Sequence, residues 1–175
     1  MKATGIVRRI DELGRIVIPK EMRKTMRLQV GDEMEITSSG DTLTLRRYSG
    51  FQSVLSEAKS VARELGKAVD ADVLFASANA VAVAEGKNKK TYENARLTDS
   101  FCALVRERKT DILHGDDLNH VFEDRACACS FMVVEPVVVG GDLIGTAMML
   151  IDSLPSDVAR AYLHFCVRLI EASLD

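Results

Sequence analysis

The 175-residue sequence predicts an α+β protein with two domains, a β-rich one over residues 1–50 and an α+β sandwich over residues 51–175. Two observations support this prediction. Polar and apolar residues alternate strictly over residues 33–37 and 42–46, as they do in half-buried strands. Beyond the first domain, the apolar residues recur at helical spacing, and two long apolar strands follow. The change of period marks the domain boundary.

The first residues predict a strand, a tight loop, a second strand and a short helix. Apolar runs at residues 5–10 and 15–18 flank the loop Asp11–Gly14, and Pro19 opens a basic segment. A proline at the first helical position costs no hydrogen bond, because the N–H there would have no partner in the helix. We therefore expect a helix of about two turns that begins at Pro19.

A β-hairpin completes the first domain. Residues 33–37 and 42–46 flank the turn-forming cluster Ser38–Asp41. One face of this hairpin carries Met34, Ile36, Leu43 and Leu45. A domain of roughly 50 residues without a disulfide or metal ligands buries little apolar surface. We therefore expect it to fold only with a partner.

The second domain is predicted to begin with a helix over residues 51–65 that ends at Gly66. Its apolar residues follow the i, i+3, i+4, i+7 pattern of a helix with one buried face. A hairpin of residues 73–76 and 80–84 follows, and then a helix over about residues 98–108.

The last third predicts a loop, a long hairpin and a final helix. Residues 111–124 are acidic and typical of a loop. Strands over residues 126–139 and 142–151 meet at a Gly-Gly pair, and Pro136 makes the first of them an edge strand or a bulged strand. A helix after residues 153–155 is expected to bury its apolar stripe, which comprises Val158, Tyr162, Phe165, Cys166 and Leu169.

The net charge of −3 is unevenly distributed. Residues 1–50 carry ten Lys/Arg and seven Asp/Glu, whereas residues 51–175 carry thirteen and nineteen. A basic domain on an acidic body favours a nucleic-acid-binding head, although ordinary scatter would also give such a difference. No apolar stretch could span a membrane and no signal peptide is evident, so we expect a cytoplasmic protein without a membrane partner.

The basic segment and its loop resemble a known family. Residues 10–19, Ile-Asp-Glu-Leu-Gly-Arg-Ile-Val-Ile-Pro, and their flanks closely resemble the DNA-binding half of the AbrB-type transition-state regulators, the swapped-hairpin or looped-hinge family. This resemblance covers about the first 50 residues. It implies that residues 1–50 of two chains interleave as a homodimer that binds double-stranded DNA.

Over the remaining residues, the length and the order of elements resemble family members with a GAF-like sensor domain. The resemblance implies a nucleoid-associated transcription regulator of sporulation, both activator and repressor, with a small-molecule ligand left open for the second domain. The apolar stripes of helices 51–65 and 156–172 are natural dimerisation faces. Pairing through both domains would give a homotetramer.

Five basic residues are the candidate DNA contacts: Arg8, Arg9, Arg15, Arg23 and Lys24. Arginine offers a planar fork of donors that matches phosphate oxygens and the guanine edge. Neighbours on a regular strand face opposite ways, and alternation groups Arg8 with the apolar Ile6 and Ile10. The family resemblance alone selects Arg8 over Arg9. The simpler alternative is a solvated basic face that pairs with Asp11, Glu12 and Glu21.

The cysteines leave a second function open. On a strand, Cys127 and Cys129 would face the same way, close to the upper distance limit for a disulfide. Inert buried thiols are the simpler interpretation. A GAF-like thiol reductase or redox sensor that uses Cys102, Cys127 and Cys129 is the alternative.

No catalytic motif and no zinc-ligand spacing is present, so we expect neither an enzyme nor a metal site. No cofactor is expected. Antitoxins share the N-terminal hairpin type but continue into a disordered tail, whereas a well-patterned domain follows here.

Overall fold

The structure is a computed structural model that describes residues 5–26, 28, 30, 34–48, 50–77 and 79–174. The chain divides into two compact units, Met1–Tyr48 and Ser49–Asp175. In the residues that the structure describes, no helix has both the length and the apolar character needed to cross a bilayer.

The first unit contains one helix and one hairpin. Helix α1 spans Lys20–Thr25, one residue later than predicted, because Pro19 lies before the helix with a ψ of 148°. Strands β1 (Met34–Ser39) and β2 (Thr42–Arg47) pair antiparallel, and Ile36 lies opposite Leu45 on the predicted apolar face. The hairpin prediction is confirmed, although Glu33, its first predicted residue, lies outside the described residues.

The two predicted strands at the start of the chain do not form in the single chain. Residues 5–10 and 15–18 have no regular secondary structure, and their apolar side chains are exposed, with Val7 at 94% and Val17 at 74%. A strand needs a neighbour for its ladder of hydrogen bonds, and the described part of this unit supplies none. The apolar side chains of this segment therefore stay largely exposed to solvent.

The second unit is built on a five-stranded antiparallel sheet of order β4-β3-β7-β6-β5. Its strands are β3 (Asp72–Ser77), β4 (Ala80–Glu85), β5 (Asp111–His114), β6 (Phe131–Val139) and β7 (Asp142–Ile151). Its helices are α2 (Leu55–Val69), α3 (Lys89–Tyr92), α4 (Asp99–Arg106) and α5 (Ser156–Ala172). Helices α2 and α5 cover one face, and α4 with the 3₁₀ helix Gly115–His120 covers the other.

The predicted helix 51–65 forms as a 3₁₀ helix, Gly50–Val54, followed by α2, and together they pack the predicted stripe against the sheet. Phe51, Val54 and Ala58 are fully buried in the core of this unit. The prediction that this stripe is a free dimerisation face is therefore wrong. Gly66 does not end the helix, which continues to Val69. A Cβ at position 66 would lie only 2.9 Å from the Ala71 carbonyl oxygen, so a glycine is needed for the backbone to approach this closely.

Two predictions about the strands need correction. Residues 111–114 form the edge strand β5 rather than a loop, because β6 offers them an unpaired edge. Strand β6 begins at Phe131 instead of residue 126. The predicted irregularity near Pro136 is confirmed, since the register with β7 shifts between Val137 and Val138.

Helix α5 does not pack its predicted apolar stripe against the sheet; a different face of the helix does so. Its buried residues include Ala159, Leu163, Val167 and Ile170. Tyr162, Phe165 and Leu169 are 47%, 62% and 53% exposed, so the prediction that they are buried is wrong. The helix carries apolar residues on two faces, and the face with the smaller, aliphatic side chains packs against the sheet.

A buried carboxylate joins β6 to α5. Glu135 is 1% exposed, and its side chain accepts hydrogen bonds from Thr110 Oγ1 at 2.5 Å and pairs with His164 Nδ1 at 2.7 Å. Glu171 Oε1 accepts the Val138 N–H at 2.7 Å, directly at the bulge. These contacts fix α5 on the sheet while its outer face stays exposed.

Candidate nucleic-acid interface

A short loop, Asp11–Arg15, turns the chain between the two apolar runs. The Gly14 N–H donates to the Asp11 carbonyl at 3.0 Å, and the Asp11 N–H donates to the Arg15 carbonyl at 3.1 Å. Gly14 has a φ of +76°, a conformation that residues with a Cβ rarely adopt. A three-residue loop that ends on a left-handed glycine is a common hairpin connection. The loop therefore sets Asp11 opposite Arg15.

The Asp11 side chain organises this loop. Its Oδ1 accepts the Leu13 N–H at 3.0 Å and the Arg15 N–H at 2.8 Å, while its Oδ2 accepts the Arg15 Nε–H at 2.8 Å. The backbone N–H of Arg15 and then its guanidinium lower the pKa of the Asp11 carboxyl. Arg15 nevertheless stays 70% exposed, so its guanidinium can reach a ligand.

Sequence reasoning treated Asp11 only as a competing partner of the basic residues and missed this organising role. The signal that could have revealed it is the Asp-x-x-Gly spacing. Aspartate bonds the backbone two residues on, and such bonds start turns.

Arg23 and Lys24 occupy the last turn of α1. Both side chains are exposed, and a helix carboxyl end favours cations because its carbonyl groups carry partial negative charge. Pro19 is buried at the other end, and the Arg23 N–H donates to its carbonyl at 2.9 Å. The helix thus presents two neighbouring cations to solvent.

Arg8 and Arg9 lie before the loop, and both are exposed in the single chain. Of their apolar neighbours, Ile6 is less exposed, at 42%, than Val7. Within residues 5–26, six Lys/Arg face three Asp/Glu. The five predicted residues therefore lie on three local pieces: the segment before the loop, the loop itself and α1.

The cysteines lie in the other unit. Cys127 and Cys129 are half-buried in the irregular segment before β6, not on a strand as predicted, and Cys102 is buried in α4. Over the described ranges, no group of three or more His, Cys, Asp or Glu is placed to hold a metal ion.

Two family models match the chain, one on each unit. The model described as "Antidote-toxin recognition MazE, bacterial antitoxin" matches residues 7–53. The model described as "Stage V sporulation protein T C-terminal, transcription factor" matches residues 55–160, more than half of the chain.

Two relatives from Bacillus subtilis (strain 168) are similar in sequence. Stage V sporulation protein T is 34% identical over 155 residues, which cover 85% of this chain and 84% of that protein. Transition state regulatory protein AbrB is 48% identical over 48 residues, 27% of this chain and 50% of that protein. The second match is limited to one region, whereas the first runs through both units.

Solved structures resemble the chain at low identity. The GAF domain of the nutrient sensor CodY from Clostridium difficile gives a TM-score of 0.51 at 15% identity, covering 71% of this chain and 93% of that chain. A GAF domain/HD domain protein from Geobacter sulfurreducens gives 0.53 at 18%, covering 69% and 91%. Type II free methionine-R-sulfoxide reductase from Thermoplasma acidophilum gives 0.50 at 17%, covering 69% and 92%. At such identities the likeness shows the fold alone, and the predicted GAF-like α+β domain is confirmed.

Proposed function

This chain belongs to the stage V sporulation protein T family of transcription factors, with an AbrB-type N-terminal domain and a GAF-like C-terminal domain. On this basis, we propose that residues 1–50 of two chains interleave into one DNA-binding head. The observation that carries this proposal is the exposed apolar surface of the first unit. Val7 and Val17 are largely exposed in a segment without strand partners. A second copy would supply both the ladder and the missing core.

The head binds double-stranded DNA through Arg8, Arg9, Arg15, Arg23 and Lys24. All five are exposed on a basic segment, and a two-fold dimer would present two copies of each to a two-fold duplex. The segment is poor in aromatic residues, so phosphate contacts and groove contacts dominate over stacking on bases.

The outer face of α5 joins two heads. Tyr162, Phe165 and Leu169 form an exposed apolar stripe on a helix that is fixed to its own sheet. Exposed apolar patches on stable elements favour protein contacts. Self-association through residues 51–175 would link two dimers into a tetramer that holds two DNA-binding heads.

The regulator acts without catalysis, in the cytoplasm and at the nucleoid, and both activates and represses sporulation genes. The matched family model is described as a transcription factor, and one relative is a transition state regulatory protein, which supports this proposal. The antitoxin alternative is weaker, because a folded unit occupies residues 49–175 where a toxin-binding tail would lie. The reductase alternative rests on a likeness of fold alone.

The test is a titration of the full chain against duplexes that it selects from a random DNA library. We expect Arg15→Ala and Arg23→Ala each to weaken binding by roughly tenfold or more, since each change removes two contacts per dimer. Arg106→Ala is the matched control, because it removes the same charge from an exposed position in the second unit. Equal effects of all three variants, or no selected sequence, would contradict the proposal.

A further inference from the structure

The five-stranded sheet of the second unit has two edges, one at β4 and the other at β5. An edge strand carries backbone N–H and C=O groups that are not paired on one side, and a strand of another molecule can pair with them. Proteins prevent such pairing by covering the edge, by shortening it or by placing charged side chains on it. The two edges of this sheet differ in how they are protected.

A neighbouring segment covers the start of β4. The Val81 N–H donates to the Ala95 carbonyl, and the Leu97 N–H donates to the Asn79 carbonyl, each at 2.9 Å. The register between β3 and β4 also shifts along the strand, and such a bulge disturbs the regular spacing of hydrogen-bonding groups that an added strand needs. The β4 edge is therefore protected by the backbone itself.

The β5 edge is short, and both of its ends are fixed. The strand has four residues, Asp111–His114, and pairs with β6 along one side. Directly before it, Thr110 Oγ1 donates to the buried carboxylate of Glu135 at 2.5 Å. Directly after it, Gly115 turns the chain with a φ of +52°. An added strand would thus have to pair with these four residues.

Ile112 presents its backbone N–H at the free side of β5. In an antiparallel pair, alternate residues direct their N–H and C=O groups toward the partner strand, and the residues between them direct these groups away from it. The Ile112 N–H donates to Oδ1 of Asp111 at 2.8 Å, and Asp111 is exposed to solvent. The N–H that this carboxylate accepts therefore points away from β6.

The side chains of β5 make this edge attractive to another strand. Ile112 packs against the core on one face of the sheet, and Leu113 lies in the core on the other face. The middle of the strand is thus apolar and held in an extended conformation. A short apolar edge with an available N–H would be a template for pairing.

We propose that Asp111 closes the β5 edge against strand addition by a second copy of this chain. Its carboxylate occupies the N–H that the carbonyl group of an added strand would need. An added strand would also have to bury this charge, which is costly without a new partner. Because the first unit is proposed to assemble through strands of two copies, closed edges in the second unit confine strand pairing between chains to the first unit. The closure of β5 itself does not depend on DNA binding.

The test compares the self-association of full-length variants below their melting temperatures, by light scattering and thioflavin fluorescence. Asp111→Ala removes the acceptor and the charge, so we expect thioflavin-positive assemblies to form roughly tenfold faster than in the wild type. Asp117→Ala is the matched control, because it removes the same charge from an exposed position just beyond β5, and it should behave as the wild type. Equal rates for the two variants would overturn the proposal.

Two further variants separate the hydrogen bond from the charge. Asp111→Asn keeps a side-chain oxygen that can accept the Ile112 N–H, so it should assemble more slowly than Asp111→Ala. In the Asp111→Ala background, Ile112→Pro removes the N–H itself, and proline is tolerated where an edge strand faces solvent, so the wild-type rate should return. If the Asn variant or the double variant assembles as fast as Asp111→Ala, the Ile112 N–H is not the point of addition.

A second measurement locates the contact in the assemblies. Hydrogen exchange followed by mass spectrometry should show slower exchange over residues 111–114 in Asp111→Ala assemblies than in the soluble variant. Circular dichroism confirms the fold of each variant, and each one is compared at the same interval below its own melting temperature. Unchanged exchange over residues 111–114, or slower exchange confined to residues 1–48, would contradict the proposal.

Discussion

The Asp11 carboxylate holds Arg15 at two points, since Oδ1 accepts its backbone N–H and Oδ2 accepts its guanidinium Nε–H, each at 2.8 Å. The acidic residue therefore does not merely neutralise a basic neighbour. It fixes the loop backbone and restricts the rotamers of a side chain that must otherwise lose entropy when it binds DNA. Asp11 is thus a positioning residue for Arg15 under the proposed function.

Asp11→Asn should reduce the discrimination between a selected duplex and a random one. The amide oxygen can still accept the backbone bonds, but the amide nitrogen cannot accept the Nε–H of Arg15. Each ion pair is exposed and therefore weak, so even with two copies in the dimer we expect a loss of no more than roughly tenfold. Competition titrations with both duplexes measure the ratio.

Glu12→Gln is the matched control for this change. It removes the same charge from the adjacent exposed position. Removal of a negative charge alone should strengthen binding to both duplexes alike, without a change in their ratio. If the two variants behave identically, Asp11 acts only through its charge.

A fragment of residues 1–52 should fold only as a dimer. As a single copy, its segment before α1 has neither strand partners nor a covering layer for Val7 and Val17. Analytical ultracentrifugation and circular dichroism over a dilution series should show that folded structure and dimer disappear together. A folded monomer at micromolar concentration would contradict the interleaved arrangement.

Local patterns predicted most of the second unit. The short apolar runs at residues 73–76 and 80–84, the Gly-Gly pair between β6 and β7, and Thr98 at the start of α4 each specify their element through local chemistry. Thr98 Oγ1 accepts the Phe101 N–H at 3.1 Å, as an N-terminal cap does. The edge strand β5 was missed because its pairing depends on a distant partner, β6.

Packing partners were predicted less well than elements. A helix with apolar residues on two faces, such as α5, does not reveal from sequence alone which face its own sheet takes. For the candidate site, the basic residue types were readable, but the Asp11–Arg15 contact depends on a loop conformation that Gly14 permits. The residue types therefore indicated a basic, anion-binding segment, whereas the contact between Asp11 and Arg15 became visible only in the structure.

Phe165→Glu should convert the proposed tetramer into dimers. Phe165 is 62% exposed on α5, so the change costs little within its own unit but places charges in the proposed interface. Sedimentation velocity measures the assembly, and the melting temperature reports the fold. Ala103→Glu, at an exposed position on α4, should leave the assembly unchanged. If the Phe165→Glu variant still forms a tetramer, the exposed stripe of α5 is not the contact between dimers.

Glu171→Ala should lower the free energy of unfolding by about 1–3 kcal/mol, the usual cost of a buried donor without a partner. The donor is the Val138 N–H at the bulge of β6, which Glu171 Oε1 accepts at 2.7 Å. Glu171→Gln keeps an acceptor at the same place and should cost much less. Urea unfolding compares the two variants, and an equal loss would show that the ion pair with Arg168 matters more.

DNA affinity should fall steeply with salt. The five proposed residues give ten cations per dimer; if half of them contact phosphates, the logarithm of affinity should fall against the logarithm of salt concentration with a slope of roughly −4 to −5. Loss of a phosphate contact flattens this slope, whereas loss of a base contact relaxes sequence preference. Titrations of the wild type, Arg15→Ala and Arg23→Ala across a salt series separate these roles. A slope near zero, or indifference to both changes, would mean that the basic cluster is only a solvated face.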